Sequence, residues 1–320
     1  MKIQRFYKLF VLCFLMAVVT IACQSSSSEI PVSENCRMIQ HEAGETCVPD
    51  NPERLVTLFS ATAADAIALG VQPVGATFSV GDPPPPYLEG KLAGIERIGQ
   101  TEQPNLEKIA TLTPDLIIGL HYTTESFYKP LSQIAPTLLH NWEGFSSWKE
   151  HFNFVAEALG KTAAAADVWA HYDRRIQELR EALDENYQDI EISVVRVCCN
   201  NLASDVKNSF SGIILDDVGF RRPPAQDAAA GGLVIFSKEL ITEKLDGDII
   251  FAIIDEGDDY NSEEAFEQLK SDPLWNQLKA VQAGKVYPVS YDIWRGGNPL
   301  AADAVINDLF KYLVNGNDES

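Results

Sequence analysis

The chain lacks the short spacings that most often mark catalysis. It contains no Gly-x-Ser-x-Gly elbow, no Gly-x-x-x-x-Gly-Lys phosphate cradle, no Cys-x-x-Cys and no His-Glu-x-x-His, so nucleophilic, phosphate and zinc chemistry lose their usual signatures. Histidine is scarce: His41, His121, His140, His151 and His171 are scattered rather than spaced as ligands. His121 and His140 each follow an apolar run, where an exported metal binder would place ligands. Their neighbourhoods "HYTTE" and "HNWEG" offer few carboxylates for a hard or borderline cation, and no metal site is expected. Positive charge is also short, with 25 Lys and Arg against 46 Asp and Glu and a net charge of −21. That surface repels nucleic acid and anionic lipid, and it makes each clustered arginine conspicuous.

The one long apolar stretch lies at the beginning. Lys2, Arg5 and Lys8 precede a run from Leu9 to Ala22, the layout of a secretory signal peptide rather than a comfortable membrane span. The run closes on "TIAC" and is followed by "QSSSSE". This resembles a lipobox, in which Cys23 becomes the lipid-bearing end of a flexible tether; an ordinary signal peptide cleaved nearby is the alternative. Without residues 1–22 the chain holds 22 basic and 46 acidic residues, a formal charge of −24. Export favours disulfides. Cys36 and Cys47 bracket a turn at Ala43 and Gly44, and a bond between them is expected to staple an N-terminal hairpin, contributing ~2 to 3 kcal/mol.

From Asn51 onward, short β-branched runs alternate with helical patterns, which predicts an α/β fold with parallel strands. Strands are expected at 54–59, 71–78 and 114–120, and helices at 61–70, at 105–112 with Asn105 as cap, and at 125–135. "GDPPPPY" reads as a stiff extended loop. Val168, Tyr172, Ile176, Leu179, Leu183 and Tyr187 recur at helical spacing, predicting one helix from about Lys161 to Tyr187. The α/β pattern then restarts with "EISVVRVCC", "SGIILDDVG", "GDIIFAII", "SEEAFEQLK" and "KVYPVS", and ends in a helix from Pro299 to Val314. The outline is a lobe, a long helix and a second lobe. Its boundaries fall at 1–22 for the signal peptide, 23–49 for tether and hairpin, 50–159 for the first lobe, 160–187 for the bridge and 188–320 for the second lobe.

In open α/β sheets, ligands bind beyond the carboxyl ends of the strands. The segments following strands here carry Tyr122, Trp142, Arg196, Arg221, Arg222, Tyr291, Trp294 and Arg295. Aromatics beside guanidinium groups suit a bulky, oxygen-rich, anionic ligand. Tyr122, Trp142, Arg196, Arg222, Tyr291, Trp294 and Arg295 are the candidate ligand-binding residues. Cys198 and Cys199 in "VVRVCCNN" read as packed thiols near a strand end rather than a redox or metal pair.

Several blocks carry a family resemblance. "HEAGETCVPDNPERLVTL", "QPNLEKIATLTPDLIIG", "SFSGIILDDVGFRRPPAQ", "FSKELITEKLDGDIIF" and "DPLWNQLKAVQAGKVYPVS" followed by "WRGGNPLAADAVINDLF" resemble the ferric-siderophore-binding lipoproteins of ABC importers, in the same order from about Cys36 to Leu313. The resemblance implies two Rossmann-like lobes bridged by a single rigid helix, the class III substrate-binding architecture, with the ligand between the lobes. It implies a non-enzymatic, monomeric protein, lipid-anchored outside the cytoplasm. Such a protein captures an iron(III)-siderophore complex as ligand, needs no cofactor, and delivers its cargo to ABC permease and ATPase subunits. Haem, a cobalamin or a metal ion would be alternative cargoes for the same scaffold. One glutamate per lobe is implied to dock on permease arginines, and the matching positions are Glu125 and Glu239. The chain departs from the hydroxamate binders, which carry an arginine near the "PNLE" block; here only Gln100 stands there, with Arg97 across a turn.

Overall fold

In the computed structural model, the described residues are 36–78, 84–183, 185–198, 201–228, 231–255 and 262–315. The expected lipobox with Cys23 lies outside them. Strands Cys36–His41 and Gly44–Pro49 pair across a turn that Gly44 takes at φ 125, a left-handed conformation that glycine enters at least cost. Cys36 and Cys47 on these strands are disulfide-bonded.

The first lobe is built on five strands: β1 (Leu55–Thr57), β2 (Gly75–Ala76), β3 (Glu96–Arg97), β4 (Leu116–Leu120) and β5 (Thr137–His140). Their order in the sheet is β3-β2-β1-β4-β5 and every pair is parallel. The strand order reverses beside β1, the kind of point where such sheets open a crevice. The run 71–78 yields only the two-residue β2. A Cβ on Gly75 would stand 2.5 Å from the Leu112 side chain, so the backbone here packs too closely for a larger residue. Asn105 caps the helix Leu106–Thr111, its side chain accepting from the Lys108 amide at 2.9 Å. Helix α1 (Ser60–Ala68) follows β1, and α2 (Trp148–Ala158) follows the β5 end. The residues 125–135 form a 3-10 turn, Glu125–Phe127, and a short helix, Tyr128–Ser132.

The bridge is α3, Thr162–Ala182, about 32 Å long at 1.5 Å per residue. It is shorter than the 160–187 that apolar spacing suggests. Leu183 already has ψ 155, and Tyr187 begins a separate 3-10 turn, Tyr187–Asp189, packing edge-on to Phe220. Asn186, just before that turn, is a poor helix former. Arg180 ties the end of α3 to the second lobe by donating to the carbonyls of Val218 and Asp217.

The second lobe repeats the order with altered direction. Its strands are β6 (Ile192–Cys198), β7 (Asn201–Asp205), β8 (Leu233–Phe236), β9 (Ile249–Ile254) and β10 (Val286–Ser290), arranged β8-β7-β6-β9-β10. β6, β9 and β10 are parallel, but β6-β7 and β7-β8 are antiparallel. The all-parallel expectation therefore fails on this half of the sheet. The physical reason lies in "VVRVCCNN": Cys198 pairs with Asn201, which leaves only two residues between β6 and β7, too few for the helical crossover that a parallel pair needs. Residues 199–200 are outside those described, so the state of Cys199 is too. Helices α4 (Phe210–Val218), α5 (Ser262–Lys270) and α6 (Pro299–Leu309) cover the sheet.

A continuous apolar core joins the lobes. Leu120, Trp142 and Trp148 of the first lobe belong to the same cluster as Tyr172, Ile176 and Leu179 of α3 and Val194, Phe251, Trp294 and Val305 of the second.

Candidate functional site

Strand β6 sorts its side chains by alternation. Ile192 and Val194 face the core shared by the two lobes, while Val195 and Val197 face a separate core beneath α5. Arg196 therefore shares the side of Val194, near the carboxyl end of a strand with parallel partner β9. Across the antiparallel pair, Arg196 lies opposite Ala203, and Val195 opposite Ser204, so Asp205 falls diagonally on the face of Arg196.

After β10, the short helix Tyr291–Trp294 turns two more residues toward the same place. The Tyr291 ring lies beneath two guanidinium groups, with the Arg196 Cζ 5.9 Å and the Arg295 Cζ 5.7 Å from its centroid, within cation-π range. Arg295 donates from Nη1 to both carboxylate oxygens of Asp205, at 2.9 and 3.2 Å, with 12% exposure on the arginine and none on the aspartate. Burial pushes the Asp205 carboxyl above its ordinary range, against the pull of Arg295, Arg196 and Arg222. The buried Nε of Arg196 has no acceptor among the described residues.

Arg222 lies deeper. It donates from Nε to the Ile192 carbonyl at 2.7 Å, and from Nη2 to the Asp205 carbonyl and the Gln226 side chain, both at 2.6 Å. Burial lowers its pKa to about 10, which leaves it charged at neutral pH. Trp294 is fully buried, its indole N–H bonded to Asp308 at 2.8 Å and its ring 4.5 Å from Phe251. Trp142 is nearly buried, edge-on to Phe59 and to His151 at 5.2 Å each. Tyr122 stands out to solvent at 63% exposure in the short helix after β4. The structure thus gathers Arg196, Tyr291 and Arg295 into one cluster and links Arg222 to it through Asp205. Trp142 and Trp294 belong to the interior.

Two further residues escape sequence reading. Asp205 sits in "NLASDVK" with no motif around it, and only its strand pairing brings it under the arginines. Tyr87 ends the proline run; its hydroxyl accepts from the Asn298 side chain at 3.2 Å, so the first lobe reaches the start of α6. A Cβ on Gly296 would lie 3.0 Å from that hydroxyl and 2.3 Å from the Ala301 Cβ, so the glycine pair after Arg295 serves close packing as well as turning. Among the described residues, no group of three His, Cys, Asp or Glu is arranged to hold a metal ion. His121 lies 3.9 Å from Glu125, and His140 contacts His151.

Comparison with known proteins gives consistent results. The family model described as "Periplasmic binding protein" matches residues 55–290. The chain is 34% identical over 94% of its length, and 96% of the relative's, to the "Probable siderophore-binding lipoprotein YfiY" of Bacillus subtilis. It is 30% identical to the "Achromobactin-binding periplasmic protein" of Dickeya dadantii, covering 81% of this chain and 85% of that one. Among solved structures it superposes on Staphylococcus aureus SirA complexed with staphyloferrin B, with a TM-score of 0.76 and 27% identity over 87% of this chain and 98% of SirA.

Proposed function

Because the chain belongs to the periplasmic binding protein family, we propose that it captures an anionic iron(III)-siderophore complex outside the cytoplasm and hands it to the permease of an ABC importer. The observation that carries this reading is the pair of guanidiniums, Arg196 and Arg295, converging on Tyr291 at the strand ends of a chain rich in acid. Guanidinium forks match carboxylate and other chelating oxygens, and the Tyr291 face offers apolar area to the organic shell of the chelate. Relatives named for siderophores and for Fe(3+)-citrate support the same class of cargo. Binding needs no bond made or broken, and the iron stays within its chelator, so the protein acts as a carrier rather than an enzyme.

In this reading Arg196, Tyr291 and Arg295 touch the ligand from the second lobe, and Tyr122 meets it from the first. Arg222, Trp142 and Trp294 brace those groups from within. The lobes run over 50–159 and 188–320, and the protein is a monomer held to the membrane by lipid on Cys23. Glu125 and Glu239 are the permease-docking residues: both side chains are exposed, one on each lobe.

Titration of tryptophan fluorescence with ferric citrate and with other ferric chelates tests the reading. Saturable quenching by an iron complex but not by its iron-free chelator is expected, and Arg196→Ala should weaken binding on the order of tenfold or more, as loss of one charge-assisted contact does. No response to any ferric chelate would reject it.

A further inference from the structure

The cluster at the strand ends is not simply basic. Three guanidiniums, Arg196, Arg222 and Arg295, gather around one fully buried carboxylate, and formal charges leave the group at +2. The aspartate is engaged through both kinds of oxygen. Arg295 holds both carboxylate oxygens while Arg222 holds the backbone carbonyl of the same residue. Ser211 adds a long contact to Oδ2 at 3.5 Å. A carboxylate so placed cannot meet a ligand. It can orient Arg295, whose guanidinium is thereby kept over Tyr291, and it can subtract a charge from the field that a ligand feels.

We infer that Asp205 is a positioning and specificity-determining residue of the ligand site: it anchors Arg295 against Tyr291 and cancels one of three guanidinium charges, so that the site reads the negative charge of a ferric chelate through a fixed net charge of +2. This rests on the function proposed above and adds the residue that sets selection by charge. Without the counter-ion, the site would carry a further uncompensated cation in a half-buried setting, where charges act with far less screening than in water. With it, the Asp205–Arg295 pair is a neutral unit, and Arg196 and Arg222 are left as the two cations, the buried Nε of Arg196 having no acceptor among the described residues.

The experiment measures ferric citrate affinity at about 20 mM and about 500 mM NaCl, where screening lengths differ several-fold. It uses wild type, Asp205→Asn, Arg295→Gln and the double variant, whose cluster charges are +2, +3, +1 and +2. Asp205→Asn is expected to deepen the loss of affinity caused by salt by on the order of tenfold, the effect of one more charge at such range. Arg295→Gln should make that loss shallower by a similar factor, and the double variant should return it to the wild-type value. Should Asp205→Asn fail to fold, the step from Arg295→Gln to the double variant makes the same charge change in another background and should restore the salt dependence. A purely structural Asp205 would lower affinity equally at both salt concentrations, and salt dependence identical across all four proteins overturns the inference. Wild type that binds an uncharged or cationic ferric chelate but no anionic one overturns selection for anions while leaving the carrier function standing; wild type that binds no ferric chelate removes both.

Discussion

At the scale of single residues, the most telling feature outside the arginine cluster is a buried polar pair in the first lobe. Asp65 on α1 and His151 on α2 are both fully buried, 3.7 Å apart. His151 bonds Thr62 through Nε2 at 2.8 Å and His140 through Nδ1 at 3.0 Å. Burial drives the Asp65 carboxyl well above its ordinary value, and burial followed by His140 drives the His151 imidazole well below its own. Both groups are thus favoured in their neutral forms. The linkage has opposite signs for the two. The depressed histidine contributes stability present above its unfolded pKa of 6.5 and lost as pH falls from there; the raised aspartate contributes stability present below 3.8 and lost as pH rises from there. Between these two limits the slopes have opposite sign, so each group masks part of the other's effect. His151→Gln removes one slope. The stability gap between wild type and this variant is expected to be widest above pH 6.5 and to narrow on acidification, by at most about 1.4 kcal/mol per pH unit. Urea unfolding at pH 5, 6, 7 and 8 measures it, and a gap that stays constant would mean the imidazole is not held neutral. None of this was legible in the sequence. His140 and His151 look scattered there, and Asp65 looks like a stray polar residue in "ATAADAIALG", because burial of a helix face by a later helix leaves no mark in local periodicity.

At the scale of elements, legibility follows how local the determining physics is. The Asn105 cap, the strands β4 and β9, and α4 with its stop at Gly219 (φ 97) were readable because each depends on neighbours within a few residues. Helix α2, and β7 and β8 beside "VVRVCCNN", were not, since amphipathic and edge elements are fixed by what they pack against. The contribution of α4 to the site also depends on a close approach that sequence conceals. Ser209 caps α4 by accepting from the Gly212 amide at 2.9 Å, and a Cβ on Gly212 would stand 2.1 Å from the Val206 carbonyl and 2.6 Å from that of Lys207. Both obstacles are backbone, so the helix start would have to move, and with it the segment that follows Asp205. Gly212→Ala is therefore expected to destabilise the protein by about 2 to 3 kcal/mol, as overpacking does, although alanine is the better helix former. A thermal melt at or above the wild-type midpoint would show that the loop yields at little cost.

At the scale of the whole molecule, the outline of two α/β lobes and a bridging helix was visible in the alternation of patterns, and the shared core was not. Trp148, Tyr172, Phe210 and Trp294 are separated by long stretches of sequence yet pack in one cluster, and α6 lies against both α1 and α3. Lobes packed in this way place the loops of both on one molecule's surface, and that placement bears on docking. Glu125 opens the 3-10 turn that follows β4 and its short helix, and Glu239 lies in the 3-10 turn that follows β8. Neither heads a long helix, so stabilisation of a helix dipole, which acts across aligned peptide units, accounts poorly for their placement. The pKa of Glu239 is lowered by hydrogen bonds from Ser237 and from its own backbone amide, which keeps it charged. An exposed carboxylate on each lobe fits a basic partner surface, where charge governs encounter and register more than intrinsic stability. Replacing both, Glu125→Arg with Glu239→Arg, should leave the ferric chelate affinity and the melting temperature within error of wild type, because both side chains are exposed and neither packs in the core. Uptake of the iron complex by cells carrying the double variant should fall to background, with each single variant intermediate. Uptake at the wild-type rate would place the docking surface elsewhere, and a parallel loss of ligand affinity would show that the two turns report on the cleft rather than on the permease.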